Sequence, residues 1–267
     1  MNQAPRLSCL VIAHNEEARL ADCLASLAFA DEVLVVLDRC TDASKAIAER
    51  AGARTLEGAW EIEGDRRNDG IAACTGDWLL EVDADERVPQ ALAAEVRRTI
   101  TETAFDYHLI RVNNYVGDRL VRHGWGASFG RQMYPGLFRK GAKHWGRQRV
   151  HPTLTFGEGT RKGPPLETPV THYGFTGIGD LIAKLNGYSD RRAADLRESG
   201  NIGSAADNYR RLVSRFWKCF VSRKGFREGG IGFVIAICGA LYPILSHLKA
   251  KHDCPVKARA RPQRTSG

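Results

Sequence analysis

The sequence is short of several features that would settle its class at once. It has no C-x-x-C pair and no zinc-like Cys/His spacing, because its seven cysteines (9, 23, 40, 74, 219, 238 and 254) are odd in number and scattered. They are expected to be reduced, mostly buried thiols in a cytosolic body. Neither G-x-G-x-x-G nor G-x-x-x-x-G-K-[ST] follows the first apolar run, where the turn is Ala13-His14-Asn15-Glu16-Glu17. Classical dinucleotide binding and P-loop hydrolysis are therefore disfavoured. The N-terminus reaches Glu16 without a signal-peptide core, so export is not expected. Residues 1–205 also lack net positive charge, with 26 basic and 28 acidic side chains. That balance argues against wrapping nucleic acid, and no nucleic-acid partner is expected.

What is present is an ordinary globular composition: 43% hydrophobic and 26% charged over 267 residues, enough for one large domain with a core. Leu7–Ala13 is a nearly continuous apolar run, which suits a strand buried on both faces. Asn15 is placed to cap the helix that follows, where Leu20, Cys23, Leu24 and Leu27 recur at helical spacing. Val33–Leu37 is a second strand ending at Asp38, and Thr41-Asp42 opens a helix that Gly52 closes. Arg54–Leu56 is a short third strand, Asp65–Cys74 a helix, and Trp78–Val82 a fourth strand running into Asp83-Ala84-Asp85-Glu86. Alternating strands and helices with short links imply a parallel sheet, with ligands outside the carboxyl ends of its strands. Asp38 and the Asp83–Glu86 cluster sit at those ends.

Asp83 and Asp85 flank one small residue after an apolar strand, so at strand period two they project to the same side. Two such carboxylates repel, and a shared divalent cation removes that cost while holding a diphosphate. Mg2+ or Mn2+ fits this hard oxygen donor set. The competing interpretation is a solvated acidic turn that favours the next helix N-terminus.

The chain resembles the family-2 glycosyltransferases of the GT-A fold over roughly residues 6–190. The likeness rests on LSCLVIAHNEE, on DEVLVVLDRCTDAS, and on RRNDGIAACTGDWLLEVDADE, the most specific piece. The D-A-D-E-R variant resembles lipopolysaccharide-core glucosyltransferases and related envelope enzymes. The resemblance implies an α/β fold: a Rossmann-like, nucleotide-sugar-binding mixed sheet flanked by helices. It implies a UDP-sugar donor bound around Ala13, Asn15, Glu16, Asp38, Arg67, Asn68, Asp83 and Ala84. Glu16 would bind the ribose hydroxyls and Asp38 the pyrimidine imide. Arg67 would approach the base or diphosphate, and Asn68 would shape its loop. Asp85 would ligate the metal and serve catalysis, Asp83 would touch ribose or metal-bound water, and His172 would be a further metal or phosphate ligand, with a structural hydrogen bond as its alternative.

Residues 104–175 hold candidate strands at Phe105–Asn113 and Met133–Arg139 within otherwise glycine-rich loop. The resembling subgroup carries R-L-F-R-R … V-H-E here, and that glutamate is the natural base. This chain has Gly136-Leu137-Phe138-Arg139-Lys140 and then Val150-His151-Pro152. His151 is thus the nearest titratable replacement, with Glu158 and Asp118 behind it. Trp125 and Trp145 are either sugar-stacking platforms or loop anchors.

The charge surplus lies at the C-terminus: residues 206–267 carry 13 basic and 3 acidic side chains, which brings the chain to +8. Apolar residues at 209, 212, 213, 216, 217, 220 and 221 recur at helical spacing beside Arg210, Arg211, Arg215 and Lys218. Ile231–Leu245 is an uncharged run of fifteen residues, short of the about 20 a membrane span needs, and Pro243 would interrupt a helix. It is expected to be interfacial or re-entrant; burial in a core or dimer contact is the alternative. Three parts are therefore expected: 1–205 as the GT-A domain, 206–250 as membrane-associating helices, and 251–267 as a basic disordered tail. The protein would be an inverting, metal-dependent enzyme, peripheral on the inner face of the cytoplasmic membrane and acting on a lipid-linked saccharide. Transfer to polyprenyl phosphate and a catalytically silent nucleotide-sugar-binding scaffold remain as rivals. The oligomeric state is left open.

Overall fold

The computed structural model describes residues 4–126, 129–149 and 152–253. Its first half alternates β1 (Leu7–Ala13), α1 (Leu20–Ala25), β2 (Glu32–Asp38), α2 (Ser44–Arg50), β3 (Arg54–Gly58), α3 (Glu63–Ala73) and β4 (Trp78–Asp83). After the two-residue β5 (Glu86–Arg87) come α4 (Gln90–Glu102), β6 (Tyr107–Val116), β7 (Arg119–Val121) and β8 (Met133–Arg139). Then follow β9 (Lys143–Trp145), β10 (Leu154–Phe156), β11 (Val170–Phe175), α5 (Ile178–Glu198), α6 (Ala205–Trp217) and α7 (Gly229–His252).

The main sheet runs β3-β2-β1-β4-β8-β6-β11-β5, with β7 pairing β6. β1 to β4 are mutually parallel, whereas β8 is antiparallel to both β4 and β6. This is the GT-A arrangement expected from the sequence. Alternation explains why β1 is apolar throughout. Leu7, Cys9, Val11 and Ala13 face a cluster with Leu20 and Leu24 of α1 and Leu92 and Val96 of α4. Leu10 and Ile12 face the other layer, with Ile71 of α3, Phe138 and Trp145. Burial on both faces is what an internal parallel strand requires.

Several expectations change. Asn15 does not cap α1: at φ +55° it turns across to α2, and its Oδ1 accepts from Thr41 N at 2.8 Å. Glu17 likewise accepts from Ala43 N at 2.9 Å. Both polar side chains serve the neighbouring turn, because that turn's free N–H groups lie beside the end of β1. The 104–175 segment is also more ordered than a glycine-rich loop, since β7, β9, β10 and β11 lie in it beyond the two expected strands. Trp125 and Trp145 are both buried and so are anchors, with Trp125 Nε1 donating to Val121 O at 2.6 Å.

Pro243 does not interrupt the C-terminal apolar run. It sits inside the continuous 24-residue α7, buried where that helix packs on α5 and α6. Packing there offsets the lost backbone hydrogen bond. The third core cluster joins Ile235, Cys238 and Tyr242 of α7 to Leu181 and Leu185 of α5 and to Trp125, Phe129 and Phe175. Gly232 lets α7 lie against the turn that precedes it, since a Cβ there would lie 1.9 Å from Gly225 O. Among the described residues one helix is long and apolar enough to cross a membrane, and most of its apolar stretch is buried within the protein. The expected basic tail, apart from 251–253, lies outside the described residues.

Candidate active site

The turn after β4 is built by its own sequence. Glu86 is fully buried and accepts from Asp83 N at 3.0 Å, from Tyr134 Oη at 3.1 Å and from Arg131 at 3.0 Å. Arg87 donates to Ala84 O at 3.2 Å and to Arg19 O at 2.9 Å. Glu86 and Arg87 thereby hold Asp83 and Asp85 toward one cavity of about 450 Å3, which also receives Glu16, Asp38, Arg67, Ala84 and His172. Seven of the expected site residues thus meet at the carboxyl ends of β1, β2 and β4, as parallel-sheet topology requires.

The first turn of α3 delivers adjacent arginines to two strand ends. Arg66 Nη1 reaches Asp38 Oδ2 at 2.8 Å, and Arg67 Nη2 reaches Asp83 Oδ1 at 3.2 Å. Gly64 makes that placement possible, because a Cβ there would lie 1.8 Å from Gly146 O. Asp38 also accepts from Arg39 Nε at 2.9 Å and Trp60 N at 3.2 Å. Burial raises its carboxyl, but Arg39, Trp60 and Arg66 outweigh that and hold it below the usual range.

Asp83 and Asp85 part company here. The second oxygen of Asp83 meets Arg131 Nη2 at 2.9 Å, so both its oxygens are ion-paired. Burial pushes that carboxyl up, while Arg131 and Arg67 hold it well below the carboxylate range. Asp85 Oδ2 lies 3.5 Å from His172 Nε2 and 3.8 Å from Arg19 Nη1. Burial raises it and His172 more than offsets the rise. Reciprocally, burial lowers His172 while Asp85 raises it above its ordinary value. The repulsion expected to need a shared cation is thus relieved by three arginines and a histidine, because β8's lead-in and α3 bring cations to the pair. Glu16, nearby, is raised by burial and by Asp85.

The donor set at Asp85 suits a divalent cation as a two-ligand site. Asn114 Nδ2 donates to Arg131 O at 2.9 Å, which orients its Oδ1 to accept from His172 Nδ1 at 2.8 Å. That bond leaves Nε2 as the ring nitrogen facing Asp85. Among the described residues no group of three His, Cys, Asp or Glu side chains is placed to hold a metal. A carboxylate and open positions for phosphate oxygens match how Mg2+ and Mn2+ sit on nucleotides, and the imidazole suits Mn2+ better than Mg2+.

Three expected residues stay outside the cavity. Ala13 is buried in β1. Asn15 braces α2's turn, and Asn68 clips β9 through Trp145 N at 3.0 Å and Trp145 O at 2.9 Å. Glu158 and Asp118 are exposed and line no part of it. His151 lies outside the described residues. Other lining residues were given no role by the sequence: His14 and Arg66, although both lie in the matching motifs, Glu63, and the α5 stripe Lys184, Tyr188 and Arg191. The i, i+4, i+7 spacing of that stripe was a usable signal.

A family model described as glycosyl transferase family 2 matches residues 8–157. An uncharacterised glycosyltransferase of Rickettsia prowazekii (strain Madrid E) is 29% identical over 265 residues, covering 95% of this chain and 89% of the relative. The lipopolysaccharide core biosynthesis glycosyltransferase LpsC of Rhizobium meliloti is 27% identical over 275 residues, covering 95% and 94%. Among solved structures, glucosyl-3-phosphoglycerate synthase from Mycobacterium tuberculosis, in complex with Mn2+, UDP and glucosyl-3-phosphoglycerate, aligns with a TM-score of 0.36 at 21% identity. That alignment covers 42% of this chain and 44% of the other.

Proposed function

The chain belongs to glycosyl transferase family 2, and from that premise we propose that it transfers a sugar with inversion from UDP to a lipid-linked saccharide of the bacterial envelope. The observation that carries the reading is the convergence of Glu16, Asp38, Arg67, Asp83, Asp85 and His172 on one cavity at the strand ends. Acceptors there suit ribose hydroxyls and a base N–H, while arginine suits phosphate. Asp85 and His172 would hold Mg2+ or Mn2+, which when bound neutralises the departing diphosphate. Asp83, paired to Arg131 and Arg67, holds Arg67 at the cavity wall rather than ligating directly. In the reaction the acceptor oxygen bonds to the anomeric carbon as its bond to phosphate breaks, and the hydroxyl proton passes to a base. His151 is assigned that role from the sequence.

A panel of nucleoside diphosphate sugars tests this directly. UDP release should depend on Mg2+ or Mn2+ and disappear in chelator; no release and no thermal shift with any donor would sink the proposal.

The membrane reading belongs to the same proposal. The apolar face of α6 points away from the protein: Tyr209, Val213 and Trp217 are 58%, 67% and 62% exposed. Phe226 and Phe233 extend that face beside the ring contacts of Phe216 and Phe220. Exposed Lys218, Lys224 and Arg227 border it. Outward aromatics with a basic rim suit an anionic lipid surface. Val213→Asp with Trp217→Asp should abolish pelleting with anionic liposomes and leave UDP affinity unchanged; continued pelleting removes the membrane reading.

A further inference from the structure

A second cavity, of about 270 Å3, opens between α5, α6 and α7. It shares no residue with the donor cavity, although α5 walls both. Lys184, Tyr188 and Arg191 face the donor side, whereas Arg192 and Leu196 face the second cavity. Its opposite wall is the inward face of α6, which presents Asp207, Asn208, Arg211 and Arg215. This amphipathic helix therefore keeps Tyr209, Val213 and Trp217 outward while Arg211, at the cavity mouth, and the half-buried Arg215 line the cavity. Ordinary docking on a core would reverse that arrangement.

The arginines that line the cavity have no carboxylate partner of their own. Arg192, Arg211 and Arg215 make no ion pair with a carboxylate among the described residues. The one carboxylate lining the cavity, Asp207, is engaged elsewhere: it accepts from Ser204 Oγ at 2.9 Å and lies 3.9 Å from Arg210 Nη2. Burial and then the Arg211 charge lower Arg215's hold on its proton, and Tyr242 and Cys219 act against them. Arg211 and Arg215 repel each other beside a single carboxylate, and Tyr242 and Cys219 do not fully offset the combined effect of that charge and of burial on Arg215. Asn208 and Ser204 bring further polar groups, with Asn208 Nδ2 already donating to Ser204 O at 2.9 Å. Tyr242, Pro243 and Ser246 of α7 form the floor.

We propose that this cavity binds a phosphate group, held by Arg192, Arg211 and Arg215, at a site separate from the donor cavity. Guanidinium forks are the side chains best matched to phosphate oxygens, and a bound dianion removes the mutual repulsion. The same helix carries the outward aromatic face, so a phosphomonoester lipid headgroup and free phosphate are the two sources of that chemistry. Only the lipid arm rests on the membrane reading.

The test uses the full chain with UDP and Mg2+ saturating the donor cavity, so that phosphate has no access there. Inorganic phosphate is titrated calorimetrically. In parallel, pelleting is measured on phosphatidylcholine vesicles with and without phosphatidic acid. Arg192→Gln with Arg215→Gln should weaken binding by about tenfold or more, the loss expected when charge-assisted hydrogen bonds are removed. The charge-matched pair Arg50→Gln with Lys162→Gln, both exposed and away from α5, α6 and α7, should weaken it by less than about twofold. Arg211→Gln, an exposed position with little folding burden, should follow the first pair in direction. Arginine-dependent binding of free phosphate assigns the free anion; the same dependence on phosphatidic acid vesicles alone assigns the headgroup. Equal losses in the two pairs would mean diffuse attraction and overturn the proposal, as would no binding of either probe. A UDP titration on the same samples separates failure of this site from failure of the donor reading.

Discussion

Asp85→Asn should lower sugar-nucleotide turnover by about 1000-fold while the protein stays folded, because several kcal/mol of charge stabilisation at the leaving diphosphate would be lost. The substitution keeps the side chain's size and removes its charge. It also leaves His172 without the carboxylate at 3.5 Å that raises its proton affinity. UDP affinity should then lose its dependence on Mg2+. His151→Ala makes the contrasting case: the rate should fall while UDP affinity holds, since a base acts on the acceptor hydroxyl and not on the nucleotide. Turnover retained in Asp85→Asn would move the metal away from this turn.

The largest stability effect is expected from a buried pair beneath the cavity. Lys143 Nζ and the Glu81 carboxylate are paired with almost no solvent contact, and Trp145 Nε1 donates to Glu81 Oε1 at 2.9 Å. Lys143 also donates to Pro135 O at 2.8 Å and lies 4.0 Å from the Phe138 ring centroid. Burial drives its pKa down to about 8, and Glu81 acts against that fall. Lys143→Ala leaves Glu81 charged and unpaired in the core, which should cost about 3–5 kcal/mol. Replacing both partners at once, Glu81→Met with Lys143→Met, should cost far less, since no lone charge remains. Urea unfolding of the two variants checks this. An equally large loss in the double variant would show that shape, not charge, holds the site.

The two pairs of charges illustrate what could be read in advance. Asp38, Asp83 and Asp85 were legible because each follows an apolar strand, and strand ends of a parallel sheet point into one crevice. The partners that decide their chemistry were not. Arg131 pairs with Asp83 from 48 residues away in the chain, and Arg66 was eclipsed by its neighbour Arg67 in the same motif. Asn15 and Asn68 sit in the matching motifs yet brace turns and β9. A motif fixes which residues are near a site; it does not fix which way each side chain points.

The sequence by itself determined the order of strands and helices through β4, the burial of β1 on both faces, the family resemblance and the acidic strand ends. These follow from local periodicity and from residues adjacent in the chain. Only the tertiary structure decided that Asp83 is spoken for by arginine while Asp85 faces His172. It alone continued the apolar run through Pro243 as one buried helix. It also turned α6 so that Tyr209, Val213 and Trp217 face outward and Arg211 and Arg215 line a cavity. Each of these depends on segments far apart in sequence meeting in space. The same periodicity fits either orientation of α6, and contacts with α5 and α7 select one.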